Sequence, residues 1–159
     1  MKCTVYCTGS LKEKYWRDAE KEYIKRMSRF GGWSVVELSE ERLPENPSQK
    51  EIDTALTKEG ERLLKRLPAN AYTIALCVEA KPLSSEQLAK KVAEIALLGK
   101  SEIALIIGSS HGLAEKVKNA CQMRLSISPM TFPHQLMRVL LAEQFYRAHK
   151  INANENYHK

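Results

Sequence analysis

Residues 72–108 read YTIALCVEAKPLSSEQLAKKVAEIALLGKSEIALIIG, and this stretch decides the fold. YTIALCV (72–78) and EIALII (102–107) are unbroken apolar runs of strand length, the pattern of strands buried on both faces. Between them, SSEQLAKKVAEIALLG (84–99) reads as a helix that Ser84 or Ser85 can cap and Gly99 can end. Strand, helix and strand in that order form the unit of a parallel sheet.

The same alternation extends outward. Cys3, Val5 and Cys7 alternate with Thr4, Tyr6 and Thr8, predicting a first strand over 3–8 that ends at Gly9. Trp16, Ala19, Tyr23, Ile24 and Met27 recur at helical spacing over 13–29, and Gly31 and Gly32 stop that helix. WSVVEL (33–38) is a short strand, and SEERLPENPSQ (39–49), polar and with two prolines, is a surface loop. A second helix spans 50–67 with Ile52, Leu56, Leu63, Leu64 and Leu67, closed by Pro68. Beyond EIALII come GSSHG, a helix over 113–120, the strand RLSIS (124–128), the loop PMTFPH, a long helix over 134–149 and a polar tail. The prediction is an α/β fold: a mostly parallel sheet with helices on both faces, in a single domain over 1–159.

Composition narrows the class. With 159 residues, 43% hydrophobic and 28% charged, the chain has the balance of a globular protein with a real core. No run approaches the ~18 apolar residues of a spanning helix. The start, MKCTVYCTGSLKEKYW, lacks the apolar stretch of a secretory signal, so the expectation is a soluble, cytoplasmic protein with no membrane partner. Cys3 and Cys7, on one strand, would lie about 13 Å apart at ~3.3 Å per residue, too far for a disulfide or a shared metal. They are expected to be buried thiols. The net charge of +6 leans toward an anionic partner such as nucleic acid, but no lysine-arginine block sharpens it.

The final helix is unusual. Met137, Leu140, Leu141, Gln144, Phe145 and Ala148 form one stripe, while Leu136, Val139, Ala142 and Tyr146 spread apolar surface almost all round it. A helix apolar on most sides must be covered on most sides. A second copy of the chain is one cover, and a central position within the monomer is the other.

Ligands of open parallel sheets bind beyond the carboxyl ends of the strands. Three loops qualify: EAKPLSS, GSSHG and SPMTFPH. In GSSHG, Gly108 and Gly112 permit a tight turn and a close approach to a ligand, although an ordinary strand-to-helix turn has the same composition. SPMTFPH is stiffened by Pro129 and Pro133 and combines hydroxyls (Ser128 and Thr131, with Ser126 just before) with Met130 and Phe132. Such a loop suits a flat heterocycle like adenine. His134 is either a first-turn helix residue or a functional one, with Arg138 four residues on. GKS at 99–101 ends like a phosphate loop, but position 94 is Glu rather than Gly and the segment follows a helix, which excludes that motif. No GxSxG elbow, local triad or metal-ligand spacing among His111, His134, His149 and His158 is present, so neither a hydrolase nor a metal is expected. In the tail, Arg147, Lys150, Tyr157, His158 and Lys159 set cations beside an aromatic, a pairing that grips nucleotides. Glu143, four residues before Arg147, offers the alternative of a surface ion pair.

LSISPMTFPHQLMRVLLAEQFYRAHKI (125–151), with YHK at 157–159, closely resembles the ribosomal large-subunit pseudouridine methyltransferase H family of the SPOUT class. The likeness runs nearly end to end, through GSLKEKYW, KEGERLL and LSSEQLA. It implies a deep trefoil knot in the C-terminal half and a homodimer. It implies transfer of a methyl group from S-adenosylmethionine to N3 of a pseudouridine in the large-subunit (23S) rRNA of the assembled ribosome, at the subunit interface. The residues matching the family's cofactor pocket are Leu76, Gly108, Ile127, Ser128, Pro129, Met130, Thr131 and Phe132. Those matching its substrate side, taken as catalytic, are Arg147, Tyr157 and His158, with the tail reaching the partner's cofactor. Two positions depart from the family pattern: Ser109 and Ala80 stand where glycine is usual. Ser109 would add a side chain beside the cofactor, and Ala80 would resist a positive φ. The alternatives are a non-catalytic ribosome-binding protein of the same fold, a methyltransferase of this class acting on another RNA, and a nucleotide-binding α/β protein of another class.

Overall fold

The computed structural model describes residues 1–159. Its strands are β1 (Lys2–Thr8), β2 (Trp33–Leu38), β3 (Tyr72–Leu76), β4 (Glu102–Ile107) and β5 (Met123–Leu125). They form one sheet in the order β2-β1-β4-β3-β5, and every pairing is parallel. The helices are α1 (Lys14–Met27), α2 (Gln49–Arg66), α3 (Ser85–Leu97), α4 (Glu115–Ala120) and α5 (His134–Asn152).

Side-chain alternation in the strands sorts the core into two layers. Cys3, Val5 and Cys7 of β1 and Ile103, Leu105 and Ile107 of β4 pack with Met27 of α1, Leu88, Val92 and Ile95 of α3 and Leu141 and Phe145 of α5. Tyr6, Ala104 and Ile106, on the opposite face, pack with Leu63 of α2 and Val117 of α4. Helices therefore cover both faces, as the alternation predicted. Within the second layer α2 and α4 approach closely at Gly60. A Cβ on Gly60 of α2 would stand 2.9 Å from Val117 Cγ2, so glycine lets α2 and α4 close up. Cys3 and Cys7 are free and buried, and burial pushes both thiols up to about 12.

Local signals explain most boundaries. Ser48 and Ser84 each cap a helix with a reciprocal box, to Glu51 and Gln87 respectively. Gly31 and Gly99 follow helices at φ values of 102° and 74°, open only to glycine without strain. Differences from the sequence reading lie at the ends of elements. β3 stops at Leu76, because Cys77 to Ala80 turn, with the Ala80 amide donating to the Cys77 carbonyl at 3.2 Å. β5 is Met123–Leu125 rather than 124–128, with only a further bridge from Ser126 to Pro82. α4 begins at Glu115, two residues late, and α5 runs on to Asn152.

No helix is long and apolar enough to cross a membrane.

Candidate functional site

β4, β3 and β5 are neighbours in the sheet, so the loops at their carboxyl ends converge. Between them lies a cavity of about 630 Å³, within the usual range for small-molecule sites. Leu76, Ile107, Leu113, Leu125 and Ile127 give it an apolar lining, and Ser126, Ser128 and Thr131 bring hydroxyls. The first turn of α5 closes one side with His134 and Met137. His134 opens the helix without capping it, since the cap position is Pro133 and makes no side-chain bond.

Of the eight residues assigned to the cofactor pocket, Leu76, Gly108, Ile127, Ser128, Met130, Thr131 and Phe132 line this cavity. Pro129 does not. It sits between two local bonds that stiffen the loop: the Ser126 hydroxyl donates to the Ser128 carbonyl at 2.9 Å, and the Met130 amide donates to the Ser128 hydroxyl at 3.0 Å. Outside the helices and strands, no backbone–backbone hydrogen bond involves residues 127–132. Apart from the Ser128 carbonyl and the Met130 amide, which side chains engage, the backbone groups there have no protein partner and can pair with a ligand.

Gly108 has no room for a side chain. A Cβ would meet the Gly112 carbonyl oxygen at 2.0 Å and its carbon at 2.4 Å. The 108–112 loop folds back on itself, with the Gly112 amide donating to the Ser109 carbonyl at 2.9 Å.

Neither departure from the family pattern closes the pocket. Ala80 does not adopt a positive φ, since Asn154 alone does so among non-glycine residues. Ser109 borders the cavity but sends its buried hydroxyl to Glu59 Oε2 of α2 at 2.9 Å. Glu59 is 4% exposed, and its other oxygen accepts the Glu41 amide at 2.9 Å. The pair ties the glycine loop to α2 and to the 39–48 loop. Ser109→Ala strips a buried carboxylate oxygen of its donor and should lower stability by about 1–2 kcal/mol. A denaturation midpoint equal to the parent's would mean that Glu59 finds another donor.

Sequence reasoning missed the charges at the mouth. Glu79 and Lys118 both line the cavity. Burial works against the Lys118 ammonium, but its bonds to Glu115 and Glu79 outweigh burial and raise its pKa. The only available signal was the opposite charges of residues on separate elements, which spacing does not reveal.

Arg138 also differs from the open reading of the His134–Arg138 pair. It is 4% exposed and forks onto Glu20 of α1, with Nε and Nη2 each 2.9 Å from a carboxylate oxygen, while Nη1 reaches Glu37 of β2 at 2.7 Å. It is a structural tie holding α5 against α1 and the sheet.

Arg147, Tyr157 and His158 come together, but none of them lines the cavity. Arg147 forks onto Glu143 Oε1 at 2.7 and 3.1 Å and lies 4.7 Å from the Tyr157 ring centre. The Tyr157 hydroxyl donates to the same oxygen at 3.2 Å. Arg147 thus makes the i, i+4 pair with Glu143 and also lies over the Tyr157 ring. His158 Nε2 lies 2.7 Å from Glu86 Oε1 of α3. No cluster of three or more His, Cys, Asp or Glu side chains is arranged to hold a metal.

The chain is similar along its whole length to known proteins. Ribosomal RNA large subunit methyltransferase H of Clostridium novyi (strain NT) is 50% identical over 159 residues, all of both chains. The protein of that name from Bifidobacterium adolescentis is also 50% identical over the full length of both. In fold, the chain resembles a probable methylase family protein from Haemophilus influenzae Rd KW20, with a TM-score of 0.54 at 14% identity over 99% of this chain and 70% of that one. The family model described as "Predicted SPOUT methyltransferase" matches residues 1–158. With the family matched across nearly every residue and relatives at half identity from end to end, the chain belongs to the SPOUT methyltransferases, in the ribosomal RNA large subunit methyltransferase H family.

Proposed function

We propose that this protein is a cytoplasmic, S-adenosylmethionine-dependent rRNA methyltransferase that modifies N3 of a pseudouridine in the large-subunit RNA of the assembled ribosome. The observation that carries this reading is the convergence of the loops after β3, β4 and β5 on one cavity, lined by seven of the eight residues matching the family's cofactor pocket. The cavity fits the cofactor: its size is right, its walls are apolar, and the 127–132 backbone has groups free to pair with an adenine edge. Leu76, Gly108, Ile127, Ser128, Met130, Thr131 and Phe132 hold the group, and Pro129 keeps their loop rigid. Bound there, S-adenosylmethionine supplies a methyl made electrophilic by its sulfonium. The protein's part is alignment and proton removal. His158 takes the proton from N3, an imide nitrogen acidic enough for a neutral imidazole to serve. Arg147 grips phosphate or stabilises the imide anion, and Tyr157 stacks beside it.

The functional unit in this reading is a homodimer, one SPOUT domain per chain, with the C-terminal half knotted as a trefoil. Leu136, Val139 and Leu140 of α5 are only half-buried in one chain and lie on the side of the helix that carries Glu143 and Arg147. Met130 stands 70% exposed at the rim of the cavity. A partner's α5 would cover these surfaces, and the partner's tail would bring Arg147, Tyr157 and His158 to the cavity they do not reach in their own chain. The non-catalytic alternative rested on Ser109 obstructing the cofactor, and the Ser109 hydroxyl is engaged by Glu59 instead.

Mixing two inactive variants tests both halves of this reading. Gly108→Val lacks a cofactor site and His158→Ala lacks a base. Co-refolded, they should regain about a quarter of the parental methyl transfer to unmodified ribosomes, because half the dimers are mixed and each has one intact site. No recovery, with mixed dimers shown to form, would put the tail in the same chain's site. No transfer by the parent protein would sink the activity.

A further inference from the structure

His158 is held at both ring nitrogens, and the two contacts are of opposite kinds. Nε2 faces Glu86 Oε1 at 2.7 Å, and Nδ1 faces Arg147 Nη1 at 3.4 Å. A carboxylate only accepts and a guanidinium only donates. A neutral imidazole between them has one arrangement that satisfies both: the proton on Nε2 and the lone pair on Nδ1.

Glu86 is itself fixed. It lies in the first turn of α3, where the Ser84 hydroxyl donates to its Oε2 at 2.6 Å. Ser84 also caps the helix, accepting the Gln87 amide at 3.2 Å. The Ser84 hydroxyl, the Glu86 amide and His158 together hold the Glu86 carboxyl down at about 2, so it is ionised. On the other side, Glu143 of α5 takes the fork of Arg147, so the guanidinium bears on Nδ1 only weakly. Of the other charged or polar tail groups, Tyr157 is bonded to Glu143, and Lys159 is the next residue in the chain. LSSEQLA thus does more than start a helix: Ser84 and Glu86 present a carboxylate to the end of the chain.

Taking His158 as the base proposed above, we infer that Glu86 is a positioning residue for the reaction, fixing the His158 imidazole with Nε2 protonated and Nδ1 as the nitrogen that receives the substrate's proton. The N3–H bond breaks, its electron pair stays on N3, and the proton passes to Nδ1. The imidazolium so formed carries its charge against the Glu86 carboxylate, the orienting part a carboxylate plays for the histidine of a hydrolase triad, here from an exposed position. Arg147, turning to the RNA, leaves Nδ1 clear.

The test compares Glu86→Ala, Glu86→Gln and His158→Ala in methyl transfer to ribosomes, with ¹⁵N spectra of the His158 ring. Glu86→Ala should lower kcat by about 10- to 100-fold, less than the loss on removing the base, with KM for ribosomes unchanged. Its ring should pass from one tautomer to a mixture. Glu86→Gln retains an oxygen that accepts Nε2–H and should recover most of the rate and the single tautomer. If His158→Ala is slow but Glu86→Ala matches the parent in kcat and spectrum, the inference fails and the base stands. If His158→Ala itself keeps the parental kcat, the base assignment fails and takes the role of Glu86 with it. A KM rise at constant kcat in Glu86→Ala would make Glu86 an RNA contact and overturn the inference.

Discussion

Gly108→Ala abolishes useful cofactor binding: calorimetric titration with S-adenosylhomocysteine should give a Kd raised at least about 100-fold, if heat is seen at all. The added methyl cannot be absorbed by a side-chain rotation, because the atoms it meets at 2.0 and 2.4 Å are the carbonyl of Gly112. Restoring ordinary contact takes a loop displacement of roughly 1.5 Å, more than a close-packed cavity wall absorbs without losing its fit to a ligand. The same strain should cost about 1–3 kcal/mol of stability, which thermal denaturation reads separately. A Kd within threefold of the parent's would mean that the glycine loop is not a wall of the cofactor site. Gly112 is the useful contrast. It needs glycine for its φ of 89°, but a Cβ there meets nothing within 4 Å, so strain rather than collision governs its replacement.

Arg138→Met should be the most destabilising single change outside the glycine loop. It leaves Glu20, 8% exposed, as an unpaired buried carboxylate, whereas Glu37 is open enough to be rehydrated. Breaking one side of a buried ion pair costs about 3–5 kcal/mol, because the abandoned charge keeps its desolvation penalty. At about 2–4 °C per kcal/mol for a chain of this size, the Tm should fall by about 10 °C. Adding Glu20→Leu should recover much of that loss, since two apolar groups replace two charges. A fall below about 3 °C in the single variant would mean that water reaches Glu20. Cofactor affinity should weaken as well, because α5 carries His134 and Met137 on the cavity wall and Arg138 ties its first turns to the sheet.

The sheet was largely legible in the chain, and the reason is periodicity. Cys3, Val5 and Cys7 against Thr4, Tyr6 and Thr8 record two buried faces, and the two clusters of the core divide along that alternation. Capping residues set helix starts in plain view at Ser48 and Ser84. Strand ends were less legible, because a hydrophobic run does not reveal where pairing stops. Val78 belongs to the apolar run, yet it is 50% exposed on the cavity's border. The three loops of the site followed from sheet geometry alone. The contacts that give their residues a role did not: Ser109 with Glu59, His158 with Glu86 and Arg138 with Glu20 join residues 50, 72 and 118 positions apart. Resemblance supplied the tail residues that composition left as a surface ion pair.

The bond between Ser109 and Glu59 also bears on how this sequence can drift. A glycine at 109 would leave Glu59 a buried acceptor short of a donor, and an apolar residue at 59 would leave the Ser109 hydroxyl buried without a partner. Each single change is costly, while the paired change removes both polar groups together and leaves only the Glu41 amide to find another acceptor. The two positions are thus one epistatic unit: a lineage that gained the serine is held to the glutamate, and the route back to glycine runs through a change on a different helix.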